Sequence, residues 1–147
     1  MKVVLQRVES ARVTVDDETV GEIGRGLLAL VGIARDDDER DVDILARRTA
    51  HLRLFDDGER RGAWSVADIA GAVLVVSQFT LLASTKRGNR PSWSAAAPPE
   101  TAAPLVERFA LRVREEGVDV ATGRFGAHMR ISLVNDGPVT LVLEHPV

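Results

Sequence analysis

The sequence predicts an α+β fold: a curled, barrel-like β-sheet with two main helices packed outside it, as one domain over residues 1–147. Three observations carry that expectation. Strand-type apolar runs follow one another rather than alternating strictly with helices. Two segments have helical periodicity. The length and the 45% hydrophobic content suit one core of ordinary size. Aromatic residues are 4% of the chain, so that core has to be built from Val, Leu, Ile and Ala.

Taken in order, "KVVLQRVES" (Lys2–Ser10) is a valine-rich strand segment. "ARVTVDDETVGEIG" places Val13 and Val15 before an Asp16-Asp17-Glu18 turn and Val20 and Ile23 after it, a hairpin pattern. "GLLALVGIA" (Gly26–Ala34) is short and nearly all apolar, as a strand buried on both faces is. The period then changes. "DDDERDVDILARRTAHL" puts Val42, Leu45, Thr49 and Leu52 on one helical stripe. Asp36 and Glu39 have capping-box spacing, and the acid run reads as a solvated helix start rather than a metal site.

"GAVLVVSQFTLLAS" is another buried strand, and "STKRGNRPSWSAAAPPE" is a loop by composition. "TAAPLVERFALRVREEG" is a second amphipathic helix with Leu105, Val106, Phe109 and Val113 on one face. Pro104 falls in its first turn and Gly117 caps its end. Short strands follow near Asp119–Thr122, Arg130–Val134 and Val139–Leu143, the last two joined by a turn at Asn-Asp-Gly-Pro.

Composition also bounds function. A net charge of −3 gives no global basic field for nucleic acid. The absence of cysteine excludes disulfides, thiolate metal sites and a cysteine nucleophile, and it suits a reducing cytoplasmic compartment. "MKVVLQRVES" turns polar by Gln6, so no signal peptide is expected. No apolar run approaches the ~20 residues of a membrane helix. The three histidines, His51, His128 and His145, are scattered, and no His/Asp/Glu cluster has metal-ligand spacing, so no metal and no cofactor are expected.

Two stretches stand apart. In "SQFTL" (Ser77–Leu81), polar Ser77, Gln78 and Thr80 interrupt an apolar run at a strand end. They read either as a strand cap bonded to the adjoining loop or as a site facing a cleft. In "NDGPVT" (Asn135–Thr140), Asp-Gly between apolar runs signals a hairpin, yet the proline behind it removes a donor from the returning strand. Local rules favour a plain turn there, with a cis Gly-Pro bond accessible.

Together, "SQFTL" and "NDGPVT" resemble the two signature motifs of the D-aminoacyl-tRNA deacylase family. The resemblance extends in order through "LQRV" (Leu5–Val8), "GEIGRGLLALVGI" (Gly21–Ile33), "RGNRPSWS" (Arg87–Ser94) and "TGRFGAHMRISLVNDGPVT" (Thr122–Thr140). One departure is visible: where the family often has a Met-Asn-containing stretch, "RRGAWSV" (Arg60–Val66) stands, so no role passes to Trp64 or Ser65.

The resemblance implies hydrolysis of the ester joining a D-amino acid to the 3′ end of tRNA, with activity on glycine mischarged onto tRNA for alanine. L-aminoacyl-tRNAs are spared. It implies a homodimer with sites at the subunit interface, where a Gly-cisPro motif, here Gly137 and Pro138, enters the partner's pocket. Ser77, Gln78, Phe79 and Thr80 match the pocket for the amino acid and the terminal adenosine, and Arg7 matches the arginine that braces the Gly-Pro segment. Rejection of L side chains by a fixed backbone wall is physically apt, because backbone beside a proline ring cannot change rotamer as a side chain does. Thr80 is a candidate nucleophile, but no base accompanies it in sequence. The preferred alternative uses backbone N–H groups near Phe79 and Thr80 for the oxyanion, with the ribose 2′-hydroxyl helping to activate water. Lys86, Arg87 and Arg90, near Trp93 and without an acid among them, are candidate tRNA contacts, against the plain reading of a solvated loop. A non-catalytic nucleic-acid binding module on the same fold is the rival reading, and a dimeric interaction protein a third.

Overall fold

The computed structural model describes residues 1–146. Eight strands and two α-helices follow the order β1 (Lys2–Val15), β2 (Glu18–Ile23), β3 (Gly26–Gly32), α1 (Glu39–His51), β4 (Arg53–Asp57), β5 (Arg60–Ser65), β6 (Ala72–Ser77), α2 (Pro99–Glu115), β7 (Asp119–Thr122) and β8 (Arg130–Glu144). A 3-10 turn, Phe79–Leu82, follows β6. The expected α+β class holds, and the curled sheet with outer helices is observed.

β1 organises the sheet. Its first half pairs antiparallel with β3 and its second half with β2, while β8 runs antiparallel along its other side. β6 and β7 continue the sheet in parallel from β3. The free side of β2 then meets β7: a Cβ on Gly21 would lie 2.3 Å from the Thr122 carbonyl oxygen. That approach nearly closes the sheet into a barrel.

The apolar runs of β3 and β6 are continuous because each strand is covered on both faces. Leu27, Ala29, Val31, Val73 and Val75 share a core with Leu45 of α1, Phe109 of α2 and Phe55 of β4. Leu28, Leu74 and Val76 face the inside of the curl, against Val8, Val13 and Ile23. The stripes expected on the two helices are the packed ones: Val42, Leu45 and Thr49 on α1, and Leu105, Phe109 and Val113 on α2, are buried. Arg108 of α2 holds Asp43 of α1 through two bonds of 2.8 Å.

Five local expectations change. Lys2–Val15 is one strand rather than two segments. The first hairpin turn is two residues, Asp16 and Asp17, both with positive φ, and Glu18 already pairs with Val15. Asp38, not Asp36, caps α1 in a capping box with Asp41; the Asp37 carboxylate closes the preceding turn on the Ala34 N–H at 2.6 Å, so the helix begins later. Pro104 lies inside α2 rather than in its first turn, because the helix already starts at Pro99. The β4–β5 hairpin was not expected, although its two-residue loop, Gly58-Glu59, opens on a glycine of positive φ, as such a hairpin can use.

Candidate active site

β6 delivers Ser77 to the end of the parallel ladder, and the chain continues it for one bond, Gln78 N to Val31 O at 2.7 Å. It then winds into the 3-10 turn, with Leu81 N–H donating to Gln78 O at 3.2 Å and Ala83 N–H to Thr80 O at 3.1 Å. The turn fits because β3 has no side chain beneath it. A Cβ on Gly32 would meet Leu82 Cδ2 at 2.6 Å and Gln78 O at 2.9 Å. Leu82 is buried under the turn, while Phe79 points outward and is 57% exposed. The N–H groups of Phe79 and Thr80 open the turn and have no acceptor within it. The Gln78 side-chain amide donates to the Thr80 hydroxyl.

Beside this turn lies a cavity of about 340 Å³, lined by Ser77 and Phe79 together with Val31, Ile33, Trp93, Ala97, Ala102 and Phe125 among others, none of them titratable. Phe79 and Trp93 meet edge to face with ring centroids 6.2 Å apart. Trp93 arrives on the loop after the turn. That loop is pinched at its neck by Ser84 and Ser92, which exchange backbone bonds of 2.7 and 2.9 Å. Arg35 Nε holds its far end at Ser94 O. The lobe beyond the neck carries Lys86, Arg87 and Arg90, all exposed and without an ion pair among the described residues.

The Asn-Asp-Gly-Pro stretch is not a hairpin turn. β8 runs straight through it, pairing with β1 on both sides. Thr140 faces Gln6 and Asn135 faces Val8, so Asp136, Gly137, Pro138 and Val139 all stand opposite the single residue Arg7. The surplus bulges out of the ladder, which accommodates a proline with no N–H to give. The Gly137–Pro138 peptide is cis. Asn135 Nδ2 anchors one foot of the bulge on Arg7 O at 2.9 Å. Arg7, only 6% exposed, donates from Nε to Asp136 O at 3.0 Å and from a terminal nitrogen to Leu54 O at 2.7 Å. Asp136 and Asp56 flank the guanidinium, at 3.2 and 3.4 Å. Asp56 is held below its ordinary pKa first by the Gly62 N–H and then by Arg7.

The structure therefore brings Ser77, Gln78, Phe79 and Thr80 together, and separately brings Arg7, through Asp136, to the bulge that carries Gly137 and Pro138. It does not join the two groups within the chain. The bulge faces Arg7 of β1, Arg7 pairs with Leu27 of β3, and Leu27 with Val73 of β6, still short of Ser77. With strands about 4.8 Å apart and about 3.3 Å per residue along them, the two motifs lie roughly 20 Å apart across the sheet. The histidines are elsewhere: His51 bonds Glu116 at 2.8 Å, His145 lies 3.4 Å from Asp41, and His128 sits by the β1–β2 turn. Sequence reasoning missed Gly32, Phe125 and the Asp56–Arg7–Asp136 arrangement. A glycine in the middle of an apolar strand was the available signal for the first.

The family described as D-Tyr-tRNA(Tyr) deacylase matches residues 4–144. The chain is 58% identical over 147 residues to the D-aminoacyl-tRNA deacylase of Roseiflexus sp. (strain RS-1), covering 100% of this chain and 95% of that protein. It is 56% identical to that of Nocardia farcinica (strain IFM 10152), covering 98% and 99%. A solved structure named c-Myc DNA Unwinding Element Binding Protein superposes with a TM-score of 0.93 at 38% identity, over 100% of both chains. A probable eukaryotic D-amino acid tRNA deacylase superposes with a TM-score of 0.84 over 97% of both chains; at 18% identity it speaks to the fold alone. Since the match spans nearly every residue and contains both motif segments, the chain belongs to the D-Tyr-tRNA(Tyr) deacylase family, a family of hydrolases.

Proposed function

We propose that this chain hydrolyses the ester of D-aminoacyl-tRNA as a homodimer, each pocket completed by Gly137 and Pro138 of the second copy. The observation that carries this reading is the separation of the two motifs. Each is locally braced, and neither alone surrounds a substrate. β8 also supports it. Among the described residues its outer edge is unpaired, and it exposes Leu133, Val134 and Val142 at 36%, 50% and 63%, apolar side chains that a second copy would cover.

In this reading the apolar cavity takes the amino-acid side chain and the Phe79–Trp93 pair borders the terminal adenosine. The two carbonyls of the bulge accept from the substrate ammonium and fix its orientation. A D side chain then points away from the bulge and an L side chain into it, so discrimination comes from rejection. Glycine has no side chain to reject, so glycine mischarged on tRNA for alanine also passes. The chemistry rests on position. No carboxylate or imidazole lines the cavity, and the Thr80 hydroxyl already accepts from Gln78. The Phe79 and Thr80 N–H groups stabilise the oxyanion, and the ribose 2′-hydroxyl assists water. Lys86, Arg87 and Arg90 hold tRNA phosphates beside the pocket.

Matched D- and L-aminoacyl-tRNAs test the whole reading: fast D and negligible L hydrolysis are expected, and equal rates overturn the filter. Thr80→Ala is expected to keep most activity and a 2′-deoxy terminus to lose it. Near-complete loss with Thr80→Ala, together with a trapped acyl-enzyme, overturns the catalytic assignment. The structural relative named for DNA binding motivates one rival, a non-catalytic nucleic-acid binding module. Binding that leaves D-aminoacyl-tRNA intact would establish it.

A further inference from the structure

We infer that Asp56 is a positioning residue for enantiomer selection: from the β4–β5 hairpin it holds the Arg7 guanidinium, and through it the Gly137–Pro138 bulge. This rests on the function proposed above. Three elements meet at Arg7. β1 carries it, the bulge of β8 takes its Nε, and the hairpin takes its other end through Leu54 O and Asp56. The hairpin forms its own two-stranded sheet, separate from the strands that carry the bulge. Arg7 is thus a strut between them.

The strut is balanced. A guanidinium this buried needs partners on every side. Here one carboxylate stands at each end, Asp136 at 3.2 Å and Asp56 at 3.4 Å. Asp56 is itself aimed: its Oδ1 accepts the Gly62 N–H at 3.0 Å, leaving Oδ2 toward Arg7. Gly62 presents that N–H from a positive φ of 61°, a backbone conformation that favours glycine. Both carboxylates are about two-fifths exposed, so the pairs contribute little to stability. Their effect is on where the guanidinium sits. Without the Asp56 charge, Asp136 is the one anion left to Arg7 among the described residues, and the guanidinium shifts toward the bulge. The Asp136–Gly137 backbone then moves by tenths of an ångström. Rejection by contact is steep in distance, so the L reaction, whose side chain points into the bulge, responds more than the D reaction, whose side chain points away from it.

The test uses the 147-residue chain in its proposed dimeric form. Asp56→Asn keeps an oxygen for Gly62 and removes the charge; Asp56→Ala removes both. Single-turnover hydrolysis of D- and L-aminoacyl-tRNA is measured alongside thermal melting and the Arg7 Nε–H resonance. The expected result is an unchanged melt, a shifted Arg7 Nε–H signal and a D-to-L rate ratio about tenfold lower, chiefly through a faster L reaction. Asp56→Glu should restore part of the ratio. An unchanged ratio in both folded variants, or an equal loss of D and L rates, overturns the proposal. If the unmodified protein does not discriminate D from L, the function proposed above fails instead. The Arg7 signal then judges the strut alone: a shift in Asp56→Asn supports it and no shift overturns it.

Discussion

Replacing Gly32 by alanine would test whether the 3-10 turn at Phe79–Leu82 is the working edge of the pocket. The new Cβ stands 2.9 Å from Gln78 O and 2.6 Å from Leu82 Cδ2, where ordinary contacts begin at 3.4 Å. The Gln78 carbonyl therefore has to retreat by about 0.5 Å. It cannot retreat alone, because its oxygen accepts from Leu81 N–H and its own N–H is bound to Val31 O. Leu82 is buried and has little room to change rotamer. The turn moves as a unit, carrying the Phe79 and Thr80 N–H groups with it. Overpacking of this kind costs about 1–3 kcal/mol. If these N–H groups are the oxyanion donors proposed above, a displacement of about half an ångström should slow hydrolysis by roughly 10- to 100-fold. The assay is single-turnover hydrolysis of a D-aminoacyl-tRNA, with urea unfolding on the same preparation. Gly24→Ala is the control, since a Cβ there meets nothing within 4 Å. If folded Gly32→Ala keeps activity within about twofold of the parent, a turn held in register is not what the chemistry uses.

Three further outcomes are expected. Joint replacement of Lys86, Arg87 and Arg90 by alanine should weaken tRNA binding and reduce the salt slope of log affinity by about 2–3; unchanged affinity and slope would clear the lobe of this role. Val134→Asp with Val142→Asp should yield monomers by sedimentation and slow hydrolysis by about 100-fold or more, because in the proposed dimer each pocket loses the other copy's bulge; an active monomer would refute the shared site. Asp43 should contribute to acid sensitivity. The Arg108 side chain, through its hydrogen bonds and then its charge, holds Asp43 below its ordinary 3.8, so this stabilisation is present above that value and lost as pH falls through the lowered one. Urea unfolding at successive pH values should show a shallower acid limb for Asp43→Asn; equal limbs would contradict the linkage.

Most strands, both helices and their buried faces were legible because they depend on short-range pattern. β3 and β6 announced double burial by continuous apolar runs, and α2 announced its face through Leu105, Phe109 and Val113. The β4–β5 hairpin was missed because its strands are short and largely exposed, and two further kinds of feature were not legible. One depends on counting against a distant strand: Asp-Gly-Pro after an apolar run is a turn by local rules, and only pairing with Gln6 and Val8 makes it a bulge. The other depends on which acid wins a donor. Asp36, Asp37 and Asp38 all suit a helix start, and the choice fell to Asp38 because Asp37 was committed to Ala34. In the site, Ser77 to Thr80 could be grouped from sequence because they are consecutive. The relation of Arg7 to Asp56 and Asp136 joins three distant segments and has no one-dimensional signature.

The four-against-one bulge also sets a rule about length. Asn135 and Thr140 are ladder positions whose partners on β1 are given. One residue added or removed between them has two possible destinations. The bulge can absorb it, which changes how far Gly137 stands out from the sheet. Or the end of β8 slips by one, which turns buried Leu143 to solvent and exposed Val142 inward, since a single step reverses every side chain beyond it. The segment from Asp136 to Val139 thus acts as a gauge of set size between two ladders. Its side chains have latitude that its residue count does not.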